Sequence, residues 1–323
     1  MTEALRSDFE CLIEEQSIIG QSPQGKEFAD FDRWIREFSE YQEVVSQWKR
    51  ETLNFLDREA VRRICQRCIS ESDLKGAFMI VMIWGYSGDA RGPVRTRQII
   101  EQANFLKSLE VTYEFLSKNQ IQEAYESLIV NGPKFLSTSF GSKILYFFST
   151  SNADIQPLIF DRRILLILDN LGLAVGKSPV LTSKQYMDYL RMASELAKNY
   201  SISIDQVEEN LFILSGLNSG NYSWKRKVSF ESFNAEQRDK LAALLAKKFA
   251  SYATNSNILQ NGNGGGQYGG YVVTGEIGSV EYELHASTSN GVNLIKPEFV
   301  RFDWDSVLFR GIAQSIRDLA ATN

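Results

Sequence analysis

Residues 137–148 read Ser-Thr-Ser-Phe-Gly-Ser-Lys-Ile-Leu-Tyr-Phe-Phe, and residues 157–161 read Pro-Leu-Ile-Phe-Asp. The apolar run after the lysine predicts a helix over Ser142–Phe148, and Gly141 is expected to interrupt the chain just before it. Lys143 then lies just inside a helix start. The first stretch therefore places a single amine in the first turn of an otherwise apolar helix.

Two features of this position would lower the pKa of Lys143. The start of a helix carries the positive end of the helix dipole, and partial burial beside Tyr146 and Phe147 would favour the neutral amine. A neutral amine is a nucleophile. The alternative is an exposed lysine that has no chemical role.

Asp161 is placed as the N-cap of a helix over Arg162–Leu171. An aspartate there satisfies the free N–H groups of the first turn, and that structural role alone explains the residue. The cap also leaves a carboxylate eighteen residues after the lysine, so a charge-stabilising role is compatible with it.

A second stretch, Trp84–Thr96, is rich in glycine and arginine and predicts a loop between helices. Trp84 is expected to be a core residue of that loop. Tyr86 is left open between a packing role and stacking on a nucleobase.

The order and spacing of Gly141-Ser142-Lys143 and Asp161 resemble the 8-oxoguanine DNA glycosylases of the helix-hairpin-helix superfamily. The Trp84–Thr96 stretch resembles a segment of bacterial OGG-fold proteins, some of which are encoded in antiviral loci. The resemblance covers about residues 75–217. It implies that Lys143 attacks the sugar C1′ and forms a Schiff base, and that Asp161 stabilises the cationic transition state and helps to deprotonate the lysine.

The resemblance also implies where nucleic acid is held. Ser139 stands where the family has the first glycine of its hairpin, whereas Gly141 keeps the second. Arginines near the site either pair with phosphate groups of the nucleic acid or form a face exposed to solvent. The sequence does not decide between these two roles. The residues predicted to bind nucleic acid are Gly141, Ser142, Lys134, Arg162, Arg163, Arg91 and Arg95, and those predicted to line a base pocket are Tyr86, Trp84 and Phe147.

Bulk composition limits the class of protein. The 323 residues are 43% hydrophobic, enough for a packed core, and the net charge of −5 excludes a global basic field. The segment 127–153 contains no Asp or Glu but carries Lys134 and Lys143. The predicted site is therefore locally positive in an acidic chain.

Cysteine and histidine usage predicts no cofactor and no metal. Cys11, Cys65 and Cys68 are too few for a four-cysteine iron–sulfur cluster and indicate core thiols in a reducing compartment. His285 is the one histidine, and the glycine-rich run 264–269 precedes strands, so it predicts a flexible loop rather than a dinucleotide site. No signal peptide and no long apolar run is apparent, which predicts a cytoplasmic protein.

The predicted fold class is mainly α, a helix-hairpin-helix glycosylase-like domain with a small C-terminal α+β appendix. Residues 1–50 are predicted to be N-terminal helices packing on the core, 51–217 the glycosylase domain, and 218–323 the appendix with a Gly-rich loop and a β-hairpin. Periodicity predicts helices over 28–48, 51–69, 95–116, 121–130, 183–199, 203–217, 235–253 and 305–320, and strands over 271–274 and 280–286.

The resemblance implies a DNA N-glycosylase, with β-lyase activity in addition, that acts on an oxidised or otherwise modified purine through a lysine Schiff base in bacterial antiviral defence. DNA is favoured over RNA as the partner, together with a protein of a defence system. The alternative is a non-catalytic nucleotide- or protein-binding module of such a system. The acidic net charge and the altered hairpin favour that alternative.

Overall fold

The computed structural model describes residues 3–19, 27–149, 155–168, 171–173, 180–218, 234–251, 253–261, 270–277, 280–287, 291–296 and 300–302. The chain divides into two compact units, Gln24–Ser215 and the combination of Met1–Pro23 with Gly216–Asn323. The predicted domain made of residues 1–50 is therefore split. Its first part groups with the C-terminal unit, and its second part belongs to the helical unit.

The helices confirm a mainly α fold. They are α1 (Glu3–Ile19), α2 (Phe31–Glu37), α3 (Gln42–Thr52), α4 (Arg58–Ser70), α5 (Leu74–Tyr86), α6 (Gly92–Ile100), α7 (Phe105–Ser117), α8 (Ile121–Tyr125), α9 (Thr138–Phe148), α10 (Arg162–Leu168), α11 (Ser183–Tyr200), α12 (Ile204–Asn218) and α13 (Ala235–Ala250). A 3-10 turn spans Ser39–Tyr41, and a π turn spans Glu126–Val130.

The strands are β1 (Glu27–Phe28), β2 (Phe55–Leu56), β3 (Thr254–Asn261), β4 (Gly270–Ile277), β5 (Val280–Ser287), β6 (Gly291–Lys296) and β7 (Val300–Phe302). The first two form a short antiparallel pair, and the last five form an antiparallel sheet in chain order. The predicted hairpin is confirmed as β4 and β5, with Val273 opposite Leu284.

Three predicted helices are shorter than their periodicity indicates. The first breaks at Phe38, whose ψ of 64° leaves the helical region while its buried ring stacks on Trp34 at 5.9 Å. The second breaks at Leu53 and Asn54, which both have positive φ, and Asp57 then caps α4. The third divides at residues 101–104. Tertiary packing thus interrupts a helical pattern that local sequence continues.

Helix α5 is the centre of the helical unit. Every side chain from Ala77 to Ile83 is fully buried, as expected of a helix that is apolar all round. It packs against α4, α6, α7 and α9. The C-terminal end of α5 therefore lies beside the helix that carries Lys143.

The second unit has its own core, built by α13 against the sheet. Leu241, Leu245 and Phe249 of α13 pack with Val273 and Leu284 of the strands. Helix α1 also packs on α13. The predictions for residues 264–269 and 305–320 lie outside the described residues, and none of the described helices has the length and apolar character that crossing a membrane requires.

Candidate active site

Lys143 lies in the second turn of α9, and not at a helix start. The helix begins at Thr138, four residues earlier than predicted, because Gly141 does not interrupt it. The N–H of Gly141 donates to the carbonyl of Ser137 at 2.8 Å, and a Cβ at Gly141 would lie 2.3 Å from Cγ1 of Ile129. Gly141 is therefore a packing residue whose N–H is used within the helix, and its contact with nucleic acid stays a prediction.

The amine of Lys143 is enclosed by its own helix and by the end of α5. The residue is 7% exposed, and Nζ donates to both the carbonyl oxygen and Oγ of Ser139 at 3.1 Å. Nζ also lies 5.2 Å from the ring centroid of Phe140. A Cβ at Gly85 would lie 3.3 Å from Cδ of Lys143, so this glycine leaves room for the lysine stem.

Burial lowers the pKa of Lys143 below its ordinary value of 10.5. Asp161 and Glu208 oppose that shift, and Arg58 adds to it. The predicted lowering of the pKa and the predicted contribution of burial are therefore found, whereas the predicted contribution of the helix dipole is small, because a residue in the second turn is beyond the strongest part of the dipole. The site raises the fraction of neutral amine while keeping two carboxylates within electrostatic reach.

Asp161 caps α10 as predicted. Its Oδ1 accepts the backbone N–H of Arg163 at 2.7 Å. The carboxylate is half-buried, and its charge acts on Lys143. The cap and the electrostatic interaction use the same carboxylate.

One hydrogen bond ties the segment before Asp161 to α9. The Oγ of Ser142, which is fully buried, accepts the backbone N–H of Phe160 at 2.9 Å. Ser142 and Phe160 are the chain neighbours of Lys143 and Asp161. The hydroxyl therefore fixes the backbone that carries the amine to the backbone that carries the carboxylate. The contact of Ser142 with nucleic acid stays a prediction.

Two tyrosines of α11 hold the same segment from the other side. The hydroxyl of Tyr186 donates to the carbonyl of Leu158 at 2.8 Å, and that of Tyr189 donates to the carbonyl of Ile159 at 3.3 Å. Both tyrosines are fully buried. Sequence reasoning missed them, although two tyrosines three residues apart on an amphipathic helix signal buried hydroxyls that need acceptors.

We expect Ser142→Ala to lower the free energy of unfolding by about 1–3 kcal/mol, because the buried N–H of Phe160 loses its acceptor. Chemical activity at Lys143 should fall further than stability, since the segment that carries Asp161 loses its hydrogen bond to the helix of Lys143, while Tyr186 and Tyr189 still hold it to α11. Urea unfolding and the rate of reaction measure the two effects.

Ser149→Ala is the matched control, since its buried hydroxyl donates only to the carbonyl of Tyr146 within the same helix end, at 2.9 Å. If both variants lose activity equally, the hydrogen bond from Phe160 has no special part in the site.

A buried ion pair that sequence reasoning missed lies near the lysine. Arg58 of α4 and Glu208 of α12 form two hydrogen bonds of 2.5 Å and 2.9 Å, and the carboxylate is 1% exposed. The guanidinium also lies 5.4 Å from the ring centroid of Tyr146. Burial raises the pKa of Glu208, and Arg58 opposes that rise. The pair brings two charges from distant parts of the chain to Lys143.

The predicted base pocket is only partly accessible. Trp84 and Phe147 are buried and pack edge to face at 5.3 Å, so both are core residues and not pocket residues. Helix α5 continues to Tyr86, which makes the predicted loop shorter. Tyr86 is half-buried and stacks on Phe140 at 4.3 Å, and Arg95 hydrogen-bonds to its hydroxyl. Tyr86 thus contacts the same phenyl ring, Phe140, that lies near the amine of Lys143, and Arg95 continues this group of contacting side chains to the protein surface.

The other predicted basic residues differ in exposure and in partner. Arg91 is exposed and pairs with Asp89 at 2.6 Å, and Lys134 is exposed in the loop before α9. The guanidinium of Arg163 lies 4.9 Å from the ring centroid of Phe212. The side chain of Arg162 lies outside the described residues.

The cysteines are core thiols, as predicted. Cys11, Cys65 and Cys68 are buried and form no disulfide. Within the described ranges, no group of three or more His, Cys, Asp or Glu side chains is arranged to hold a metal ion.

A family model covers most of the helical unit, including the residues around Lys143. The family described as "OGG: Putative 8-oxoguanine DNA glycosylase OGG-like protein" matches residues 21–212, which is more than half of the chain. Comparisons with curated proteins and with solved structures find no match.

Proposed function

Because this chain belongs to the OGG-like family of 8-oxoguanine DNA glycosylases, we propose that it is a DNA N-glycosylase with Lys143 as its nucleophile. The substrate is DNA that contains an oxidised or otherwise modified purine. The observation that supports this most strongly is a buried lysine of lowered pKa whose helix is hydrogen-bonded to the segment that carries Asp161.

In the proposed step, the neutral amine of Lys143 attacks C1′ of a nucleotide that has left the base stack. The C1′–N bond breaks, the base leaves with its electron pair and takes up a proton, and the nitrogen of Lys143 gives up a proton. The C1′–O4′ bond then opens to a protonated Schiff base as O4′ takes up a proton. Water hydrolyses the Schiff base, or β-elimination of the 3′ phosphate cleaves the strand.

Asp161 has the electrostatic role in this proposal. Positive charge develops on the sugar as the base leaves, and a fixed carboxylate near that charge stabilises the transition state without having to reorganise. Its cap on the Arg163 N–H holds the carboxylate in one orientation. The proposed role is therefore compatible with the structural one.

We expect Asp161→Asn to lower the rate by about 100- to 1,000-fold, while stability changes by less than about 1 kcal/mol because asparagine also caps helices. Without the carboxylate that raises the pKa of Lys143, the pH profile of the rate should shift to lower pH as its plateau falls. Single-turnover rates over a range of pH measure both effects.

The control is Asp57→Asn, which changes the N-cap of α4, where Oδ1 accepts the N–H of Ala60 at 2.8 Å. A loss of rate at Asp161 that is no larger than the loss at Asp57 would make Asp161 only a cap.

Base release tests the proposed function itself. Duplex DNA with one 8-oxoguanine and a set of duplexes with other modified purines are incubated with the protein, then treated with alkali to cleave abasic sites. Cleavage at the modified position supports a glycosylase. Binding without cleavage on every duplex would favour the alternative, a non-catalytic binding module of a defence system, to which the acidic net charge also points.

A further inference from the structure

The loop between the π turn and α9 exposes an aromatic ring. Phe135 is 73% exposed, although Pro133 and Leu136 on either side are buried. Its φ of +71° lies in the left-handed region, which bulky side chains rarely adopt. The backbone thus holds an unfavourable conformation that points a phenyl ring into solvent, which neither core packing nor backbone preference explains.

This loop is fixed in place just before the ring. The side chain of Gln102 accepts the backbone N–H of Lys134 at 2.6 Å and donates to its carbonyl at 3.0 Å. A Cβ at Gly132 would lie 1.9 Å from the carbonyl oxygen of Leu128, so only glycine permits this close turn. A rigid loop loses little conformational entropy when its exposed ring binds a ligand.

The local charge favours an anionic ligand. Lys134, the residue before Phe135 in the chain, is also exposed, and the segment 127–153 contains no Asp or Glu, although the whole chain is acidic. An exposed aromatic face next to a cationic side chain is the combination that stacks a nucleobase and neutralises its phosphate. The two side chains together therefore fit one nucleotide unit of a nucleic acid.

We propose that Phe135 stacks on an unstacked nucleobase that flanks the target nucleotide, and that Lys134 contacts the adjacent phosphate. The inference rests on the proposed function in that the ligand is nucleic acid. Lys143 lies five residues into α9, roughly 8 Å along the helix axis from Thr138. Phe135 precedes that helix, so it contacts a neighbouring nucleotide rather than the one attacked by Lys143.

The test compares Phe135→Gly with Leu53→Gly. Leu53 is a close match in the same unit, because it is 76% exposed with a φ of +52°. Binding is measured by fluorescence anisotropy on labelled single-stranded DNA and on a duplex with an abasic site, at low ionic strength. A 2-aminopurine next to the abasic site reports stacking.

Phe135→Gly should weaken binding about 5- to 100-fold and remove the change in 2-aminopurine fluorescence, since one base–aromatic stack is lost. Its thermal midpoint should equal or exceed that of the wild type, because glycine adopts positive φ without strain. Leu53→Gly should keep wild-type binding, and Phe135→Trp should retain it.

Every other result overturns either the role of Phe135 or the glycosylase proposal. Unchanged binding by Phe135→Gly, or equal weakening in both glycine variants, overturns the role of Phe135. A wild type that binds none of these DNAs overturns it as well. A wild type that binds DNA through Phe135 but reacts at no substrate overturns the glycosylase proposal and leaves the stacking contact in place.

Discussion

Lys143→Gln is expected to abolish borohydride trapping on abasic DNA, a loss of about 1,000-fold or more in rate, because the nucleophile itself is removed. Borohydride reduces a lysine Schiff base to a stable covalent adduct, which is counted on a denaturing gel. Lys107→Gln is the control, since it makes the same substitution at an exposed lysine of α7 that has no part in the proposed site. Trapping that persists in Lys143→Gln would exclude this residue as the nucleophile.

The wild-type pH dependence follows from the same lowered pKa. The trapping rate should rise with pH as the amine becomes neutral and level off above the lowered pKa of Lys143, before the ordinary value of 10.5. Unfolded lysine keeps its proton up to about 10.5, whereas the folded residue loses it earlier. The free energy of unfolding should therefore rise with pH in this interval, and Lys143→Gln should flatten that rise.

Glu208→Gln is expected to lower the free energy of unfolding by about 3–5 kcal/mol, the largest stability effect in the molecule. The substitution leaves the guanidinium of Arg58 without its partner in a buried environment. Arg58→Met should cost a similar amount, because Glu208 is then an uncompensated buried charge. Urea unfolding of the single variants measures both losses.

The double variant Arg58→Met with Glu208→Leu should recover most of that loss, since replacing both charges by apolar groups is often neutral or stabilising. A double-mutant cycle built from Arg58→Met, Glu208→Leu and the double variant gives the coupling free energy between the two side chains. Single variants that each cost less than about 1 kcal/mol would show an ion pair that behaves as if it were exposed to solvent.

Sequence patterns predicted the features that depend on neighbouring residues. The cap at Asp161, the helical class and the hairpin of β4 and β5 follow from local capping, periodicity and alternation. The lowered pKa of Lys143 was predicted in direction because an apolar run follows it. The position of Lys143 in the second turn of α9 was not predicted, since Gly141 reads as a helix breaker until its contact with Ile129 is known.

The missed part of the site depends on contacts between distant segments. Arg58 and Glu208 are 150 residues apart, so no local pattern joins them. A signal was nevertheless present, because Glu208 occupies the stripe of α12 that also carries the buried Val207 and Leu211. A charged residue on an apolar stripe requires a partner, and the sequence does not say which residue supplies it.

Peptide mapping of the trapped adduct tests the central claim most directly. Wild-type protein is reduced with borohydride on abasic DNA, treated with nuclease, digested with trypsin and analysed by mass spectrometry. A sugar adduct is expected on Lys143, within the peptide from Phe135 to Arg162, because trypsin does not cleave after the modified lysine. An adduct on Lys134 or on any other amine, with Lys143 unmodified, would contradict it.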